Sequence, residues 1–201
     1  DKIQINQEKI RHLGHLDIDD HGFIDFPDFQ FQPITREDGM VYGMELLGQN
    51  FRKILNEMPV YCNPASALAT CWPGNLSRWM EIGLREENRP KHLYPVHEKY
   101  NILQHGCGGM NHLCPDLTIG LELGWKGLLE KVRFYKEKNV HGDPAFYEGE
   151  EQLLLGVLEW IGRHVEAAGK MAEEAESEEL RAHYAQVADC NAWLLENPPR
   201  T

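Results

Sequence analysis

Apolar residues recur at intervals of three and four along most of the chain, which is the spacing of helices that bury one side. In the N-terminal half this pattern predicts three helices, at 7–15, 39–56 and 76–87. The second of these has its apolar stripe at Met44, Leu47, Phe51 and Leu55. The segments between the helices are rich in proline and glycine, so we expect loops and short turns there.

The C-terminal part has a clearer pattern and predicts three long helices. The first spans Pro115 to Lys138, and the second follows the cap Asp143-Pro144 and continues to about Ala175. Ser177 is a good N-cap for the third, whose apolar face includes Tyr184 and Val187. No alternating strand pattern persists anywhere. We therefore predict a mainly α fold that ends in a long helical hairpin.

Three glycines, Gly120, Gly124 and Gly127, interrupt the first of these long helices. A glycine inside a helix costs about 1 kcal/mol relative to alanine. A helix that retains three of them is typical of a place where another backbone approaches closely. We predict such a contact on this helix.

Residues 1–35 differ from the rest because four phenylalanines are set among closely spaced aspartates. We predict two parts, an irregular acidic and aromatic arm at 1–35 and a helical domain at 36–201. The chain begins without methionine and ends in the string ENPPRT, where prolines stop a helix. We expect it to be a piece of a longer protein.

Charge and composition exclude some classes of partner. The formal net charge is −12 at pH 7, which repels the phosphate backbone of nucleic acids. No apolar run is long enough to cross a bilayer, and the first residues lack the order of a signal peptide. The five cysteines are too sparse for a disulfide scaffold. We expect a cytoplasmic protein that binds neither nucleic acid nor membrane.

The stretch 101–116, NILQHGCGGMNHLCPD, raises the question of a zinc site. His105, Cys107, His112 and Cys114 are all capable zinc ligands. Their spacing, H-x-C-x4-H-x-C, differs from the paired arrangements that bring four ligands to one tetrahedron. The spacing favours a glycine-rich turn with buried thiols, and we predict no metal here. Such glycines let a backbone approach a ligand closely, so we expect this turn to line a pocket.

A second candidate metal site is the segment Asp17 to Asp28, DIDDHGFIDFPD, which matches a calcium-binding EF-hand loop at most positions. The acids at positions one, three, nine and twelve fit the pattern, and so does Gly22 at position six. His21 occupies a ligand position that prefers Asp or Asn, and no second loop exists to pair with this one. The alternative is an acidic turn whose phenylalanines pack on the body. Calorimetry with millimolar calcium separates the two interpretations.

Several strings together resemble the N-terminal portion of glycyl radical enzymes of the pyruvate formate-lyase and glycerol dehydratase type. They are NHLCPD at 111–116, LELGWKGLLEKV at 121–132, DPAFY at 143–147, EAAGKMA at 166–172 and ENPPRT at 196–201. In that family a histidine and Pro-Asp precede a helix with an L-x-x-G-x-x-G-L pattern. The resemblance covers about half of the chain well and extends more loosely back to about Gly39.

The resemblance implies an anaerobic cytoplasmic enzyme, a lyase or dehydratase, with a ten-stranded barrel surrounded by helices. In the family a radical-SAM activating enzyme installs a glycyl radical, which passes to a cysteine that abstracts hydrogen from a small polar substrate. The family's Cys-x-x-Glu and Arg-Val-x-Gly loops are both missing from these 201 residues. The chain is therefore expected to carry no catalytic residue or cofactor of its own and to work with the rest of the barrel and the activating enzyme.

The resemblance also implies a substrate contact. In the dehydratase branch, a histidine before the glycine-bearing helix faces the substrate hydroxyls; His112 takes that place, with Asn111 where glycine is common. An imidazole can hold or protonate a departing hydroxyl near pH 7. The residues leave open an alternative in which His112 is hydrogen-bonded to Asp116 at the helix start. We predict that His112 and Asn111 bind substrate.

Three hypotheses for the function follow from these observations. The leading one is the N-terminal part of a glycyl radical enzyme, with Gln104 to Asp116 as one wall of the substrate cavity. The second is a non-catalytic helical binding module that responds to calcium through Asp17 to Asp28. The third is a split family member that acts only when a second chain supplies the barrel. Apolar faces meant for the barrel would also favour self-association, for example as a homodimer.

Overall fold

The computed structural model describes the C-terminal part of the chain and two shorter segments before it. The described residues are 29–60, 91–101 and 116–200, with the single positions Gln7, Cys62 and Glu87. Within them the chain forms five α-helices and no β-strand, so the predicted mainly α fold is confirmed. The helices are α1 (Met44–Glu57), α2 (Tyr94–Lys99), α3 (Leu117–Lys138), α4 (Pro144–Glu174) and α5 (Glu178–Glu196), and a 3₁₀ turn (Lys91–Leu93) precedes α2.

Two of the predicted helices lie outside the described residues. These are the segments 7–15 and 76–87, of which only Gln7 and Glu87 are described. Most of the arm 1–35 also lies outside them. The division of the chain at residue 35 therefore stays a prediction.

Two of the three long C-terminal helices begin where their caps predict, and the first begins at Leu117, two residues after the predicted Pro115. Asp143 Oδ1 accepts a hydrogen bond of 3.0 Å from the Ala145 amide, and Pro144 occupies the first turn of α4. Ser177 Oγ accepts from the Leu180 amide at 3.2 Å at the start of α5. These side-chain acceptors satisfy amides that have no partner inside the helix.

Helix α1 begins five residues later than the apolar spacing predicts. The reason lies in the backbone of Gly39 and Gly43, whose φ angles of 78° and 90° are incompatible with a right-handed helix. Arg36 fixes this turn by donating to the Tyr42 carbonyl at 3.2 Å and by pairing with Glu45. The helix can start only after Gly43.

Helix α4 is the central element of the described structure. Its 31 residues span about 46 Å, and α1, α3 and α5 all pack against it. One core cluster joins α1 to α4, with Ile54 and Leu55 almost fully buried and Val157 and Trp160 packed against them. A second cluster joins α4 to α5 through Ala168, Tyr184 and Val187, with Cys62 against them.

Helices α1 and α4 cross with their backbones in direct contact, and glycine makes this approach possible. A Cβ atom added to Gly149 would lie 2.2 Å from the carbonyl oxygen of Met44, and one added to Gly48 would lie 2.2 Å from the carbonyl oxygen of Gly149. Two turns further along α4, a Cβ at Gly156 would lie 2.6 Å from the Cα of Arg52. No larger residue fits at these three positions without separating the helices.

Polar side chains fix the rotation and depth of this crossing. Arg52 forms a two-pronged pair with Glu159 and donates to Gln152 Oε1 at 2.9 Å. Farther along, Arg163 donates to the carbonyls of Leu55 and Met58, both at 2.7 Å. Carbonyls at the end of a helix lack partners within it, so this guanidinium caps α1 from the neighbouring helix.

The connection between α4 and α5 is only three residues long, so the two helices are antiparallel neighbours. Leu180, Tyr184, Val187 and Asn191 of α5 recur at intervals of three and four, and the last three are buried. The predicted hairpin is therefore present. Within the described parts of the chain, no helix combines the length and the apolarity needed to cross a membrane.

We expect Gly149→Ala to lower the free energy of unfolding by about 1–3 kcal/mol, because the new methyl group overlaps the Met44 carbonyl. Gly162→Ala is the matched control. It lies on the same helix with no described atom within 4 Å of the added Cβ, and should be neutral or stabilising by up to about 1 kcal/mol. Urea unfolding followed by far-UV circular dichroism measures both. Equal midpoints for the two variants would contradict the crossing.

Candidate functional site

The predicted substrate-binding residues Asn111 and His112 lie outside the described residues. The same holds for the four side chains of the zinc hypothesis and for the calcium-like loop from Asp17 to Asp28. The structure instead describes the helix that follows Asn111 and His112 in sequence. Asp116 caps this helix, and its Oδ1 accepts a hydrogen bond of 3.0 Å from the Thr118 amide.

Helix α3 is broken at Gly124. This residue has φ 65° and ψ 179°, a combination that is essentially restricted to glycine. The break divides the helix into a front half, residues 117–123, and a rear half, residues 125–138. The prediction that a backbone packs closely on this helix is confirmed at Gly124, where a Cβ would lie 2.9 Å from Pro198 N and Cα.

At the other two glycines of α3 the described residues supply no such backbone, so the expectation stays a prediction there. Among the described atoms, nothing lies within 4 Å of a Cβ placed on Gly120. At Gly127 the nearest atoms belong to Leu123 of the same helix. Sequence alone cannot separate the three, because the neighbour that selects Gly124 comes from a segment about 70 residues away.

That neighbour is the short extended segment after α5, residues 197–200, which we call the strap. The Trp193 indole donates from Nε1 to the Pro198 carbonyl at 2.8 Å. The Arg200 guanidinium lies 3.8 Å from the centroid of the same indole ring, a cation–π contact. The Asn197 amide completes the turn by donating to the Trp193 carbonyl at 3.0 Å.

An ion pair joins the two sides of this contact. Lys126, two residues after the break, pairs with Glu196, the last residue of α5. The hydrogen bond to the Glu196 carboxylate raises the pKa of Lys126. Both side chains are largely exposed, so salt screens this pair and its contribution to stability is small.

The front half of α3 exposes four apolar side chains to solvent, with the exposed polar residues Thr118 and Glu122 between them. Leu117 and Leu121 are 65% and 59% exposed, and Ile119 and Leu123 are exposed as well. The predicted apolar stripe on this helix is therefore not buried at its beginning. In the rear half Leu129 is buried, and Lys136 holds the helix to α4 through Glu148 and Glu151 at 2.8 and 2.9 Å.

A buried histidine lies on α4. His164 is 1% exposed, and its Nδ1 lies 2.8 Å from the Trp160 carbonyl. Because a carbonyl can only accept, Nδ1 carries the proton. Burial lowers the pKa of His164, the hydrogen bond to Trp160 opposes this, and the neighbouring Arg163 lowers the pKa further. The imidazole is neutral at pH 7.

The described residues hold no group of three or more metal-ligating side chains. Two of the five cysteines are described. Cys62 is buried in the second core cluster, and Cys190 is exposed on α5. The described part of the chain therefore offers no metal centre.

The C-terminal half of the chain matches the sequence pattern of a known protein family. The sequence pattern of the pyruvate formate lyase-like family matches residues 101–201, half of the chain. The chain belongs to this family. The pyruvate formate lyase-like match relates it to the glycyl radical enzymes and contains α3, α4, α5 and the strap. A comparison with curated proteins found no match.

Within the pyruvate formate lyase-like segment, two of the strings that carried the resemblance contact each other. The glycine-bearing helix meets the ENPPRT string at Gly124 and Pro198. Trp193 and Arg200, which hold the strap, were not identified from the sequence. The available signal was the pair of prolines directly after a helix, which indicates a change of chain direction but not where the chain goes.

We expect protonation of His164 to destabilise the fold. The folded-state pKa lies below the ordinary value of about 6.5, so the unfolded chain binds the proton more readily. Stability is therefore complete above that value and falls as the pH drops through it towards the folded-state pKa. His164→Gln should reduce this loss between pH 7 and 5, as measured by urea unfolding at each pH.

His141→Gln is the matched control for the His164 variant, since His141 is exposed in the turn between α3 and α4. It should retain the pH dependence of the wild type. A His164→Gln profile parallel to the wild-type profile would show that this imidazole contributes nothing to acid destabilisation.

Proposed function

We propose that this chain is the N-terminal part of a glycyl radical enzyme, a lyase or dehydratase that acts on a small polar substrate. The segment Gln104 to Asp116 would form part of the substrate cavity. The observation that carries the proposal is the family match over residues 101–201, which includes this whole segment. The five sequence strings quoted above identify the family when taken together, whereas no single string does so.

The surface of α3 supports the assignment to a larger assembly. A group of neighbouring exposed apolar side chains is typical of a surface that another part of a protein covers. The front half of α3 exposes Leu117, Ile119, Leu121 and Leu123, and it begins directly after Asp116, where the proposed cavity segment ends. The rest of the enzyme's barrel is the partner that we propose for this surface.

Within the cavity segment, His112 and Asn111 are the proposed substrate contacts. A neutral imidazole has one donor and one acceptor, and it can hold a substrate hydroxyl or protonate it as it departs. The Asn111 amide adds donors and an acceptor without charge. This combination suits a substrate with several hydroxyl or carbonyl oxygens.

No segment of this chain matches the motifs that carry the reactive cysteine and the radical glycine in the family. None of its five cysteines is followed by glutamate three positions later, and it contains no Arg-Val-x-Gly string. We therefore assign no radical step to these 201 residues. In the proposal, the glycyl radical, the reactive cysteine and the docking site for the radical-SAM activating enzyme belong to the rest of the enzyme.

The coding sequence beyond Thr201 tests the proposal most directly. A Cys-x-x-Glu loop and a C-terminal Arg-Val-x-Gly loop are expected there. A stop codon with no neighbouring gene for the barrel would overturn the proposal. A stop codon next to such a gene would favour the split form, in which mixing the two chains with the activating enzyme should generate turnover.

We expect His112→Ala in the full-length, activated enzyme to lower kcat/KM by about 10²–10⁴-fold, the usual contribution of a positioned acid or base. His141→Ala, an exposed histidine outside the proposed cavity segment, is the control and should retain full turnover. Unchanged turnover in His112→Ala would remove this residue from the site while leaving the family assignment intact.

We expect the isolated 201-residue chain to self-associate through the front half of α3, because this apolar surface then lacks its barrel partner. Leu121→Lys should shift sedimentation velocity profiles towards the monomer. Val140→Lys is the matched control, since Val140 is equally apolar and 76% exposed but lies beyond α3. The same shift in both variants, or in neither, would exclude the front half as the contact surface.

A further inference from the structure

The two halves of α3 are held in very different ways. The rear half is fixed to α4, since Arg133 and Lys136 both contact Glu151 and Leu129 is buried. In the front half every residue is exposed except the half-buried Gly120. The position of the front half relative to the described body therefore depends on the backbone conformation of Gly124, the residue between the halves.

The break at Gly124 has no rigidity of its own. Its φ of 65° and ψ of 179° lie in a region that glycine enters at little cost, so the backbone of Gly124 neither requires nor excludes this conformation. A glycine also has more alternative conformations than any other residue. Some contact outside α3 must select this one conformation.

The strap is the contact that meets this requirement. Its backbone lies directly on Gly124, since a Cβ there would be 2.9 Å from Asn197 O and from Pro198 N. The strap is itself attached to the end of α5 by the Trp193 indole, which donates to Pro198 and stacks under Arg200. Break, strap and indole thus form one continuous set of contacts.

We propose that the strap is a positioning device that sets the direction of the front half of α3 and couples it to the end of α5. A change in the path of residues 197–200 would release Gly124 and let the front half turn. The following consequence rests on the proposed function. The front half begins at Leu117, directly after the proposed cavity segment, so a turn of the front half would also move the end of that segment in the full enzyme.

Two substitutions weaken the strap without touching the core. Trp193→Phe removes the N–H donor and keeps an aromatic ring, and Arg200→Ala removes the exposed guanidinium. The matched control is Arg181→Ala, which removes an exposed arginine and its ion pair with Glu178 at the opposite end of α5. None of the three variants replaces Gly124 itself or a side chain of the two core clusters.

Residual dipolar couplings of backbone amides measure the direction of the two halves, and all variants carry Leu121→Lys in the 201-residue chain so that the front half is not held by self-association. In the chain with Leu121→Lys alone, one alignment tensor should fit both halves. In the Trp193→Phe/Arg200→Ala double variant, the couplings of 117–123 should shrink relative to those of 125–138. Amide hydrogen exchange of 120–124 should become about five- to tenfold faster, as expected for the loss of one or two such contacts.

A double variant with couplings and exchange rates equal to those of Arg181→Ala would overturn the proposal. Gly124→Ala adds a second arm, because its methyl group overlaps the strap and its φ of 65° is unfavourable for alanine, so exchange of 120–124 should also become faster. Gly120→Ala, with no described atom within 4 Å of the added Cβ, should not have this effect. These measurements need no activity, so they are separate from the test of His112. If the strap controls the front half but the double variant of the full-length enzyme keeps its kcat and KM, only the coupling to the site fails.

Discussion

The close approach of α1 to α4 determines much of the described structure. Gly48 and Gly149 let the two backbones touch, at a cost of about 1 kcal/mol for each glycine in a helix. The contact brings Ile54 and Leu55 into the core, where each contributes about 1.5–3 kcal/mol of hydrophobic stabilisation. The glycines are thus unfavourable locally and favourable in the assembled pair of helices.

The same approach explains why so many polar groups lie along this seam. With the backbones in contact, side chains on either side of the crossing reach the partner helix. Arg52 meets Glu159, which lowers the pKa of that carboxyl, and Arg163 reaches two carbonyls at the end of α1. The carbonyls that Arg163 caps would otherwise face a largely apolar cluster without partners. Close packing and polar satisfaction are therefore parts of one arrangement.

Helices with local signals were predictable from the sequence. Asp143 and Ser177 mark the starts of α4 and α5 because a capping side chain acts within three residues. The start of α1 was predicted too early, because the apolar period continues through Gly39 and Gly43 while their positive φ angles exclude a helix. The apolar spacing indicates which residues are buried, but it does not indicate the backbone conformation at the glycines.

Contacts between distant segments were much less predictable. The glycines of α3 correctly predict a close backbone at Gly124, but only the position of the strap distinguishes Gly124 from Gly120. The close backbone contact at Gly149 was not predicted from the sequence. The predicted site residues His112 and Asn111 came from family resemblance alone. Their chemistry follows from residue type, whereas their mutual geometry depends on a segment outside the described residues.

The break in α3 and the exposed front half have a common physical explanation. An apolar helix segment gains free energy only when another surface covers it, and its direction must then suit that surface rather than the bundle behind it. A continuous α3 would carry the direction of its rear half, fixed by Glu148 and Glu151, into the front half. The conformation of Gly124 removes that constraint, and the strap replaces it with one set by the end of α5. The orientation of the front half is therefore controlled by the chain segment that leaves the bundle, and not by the bundle's own packing.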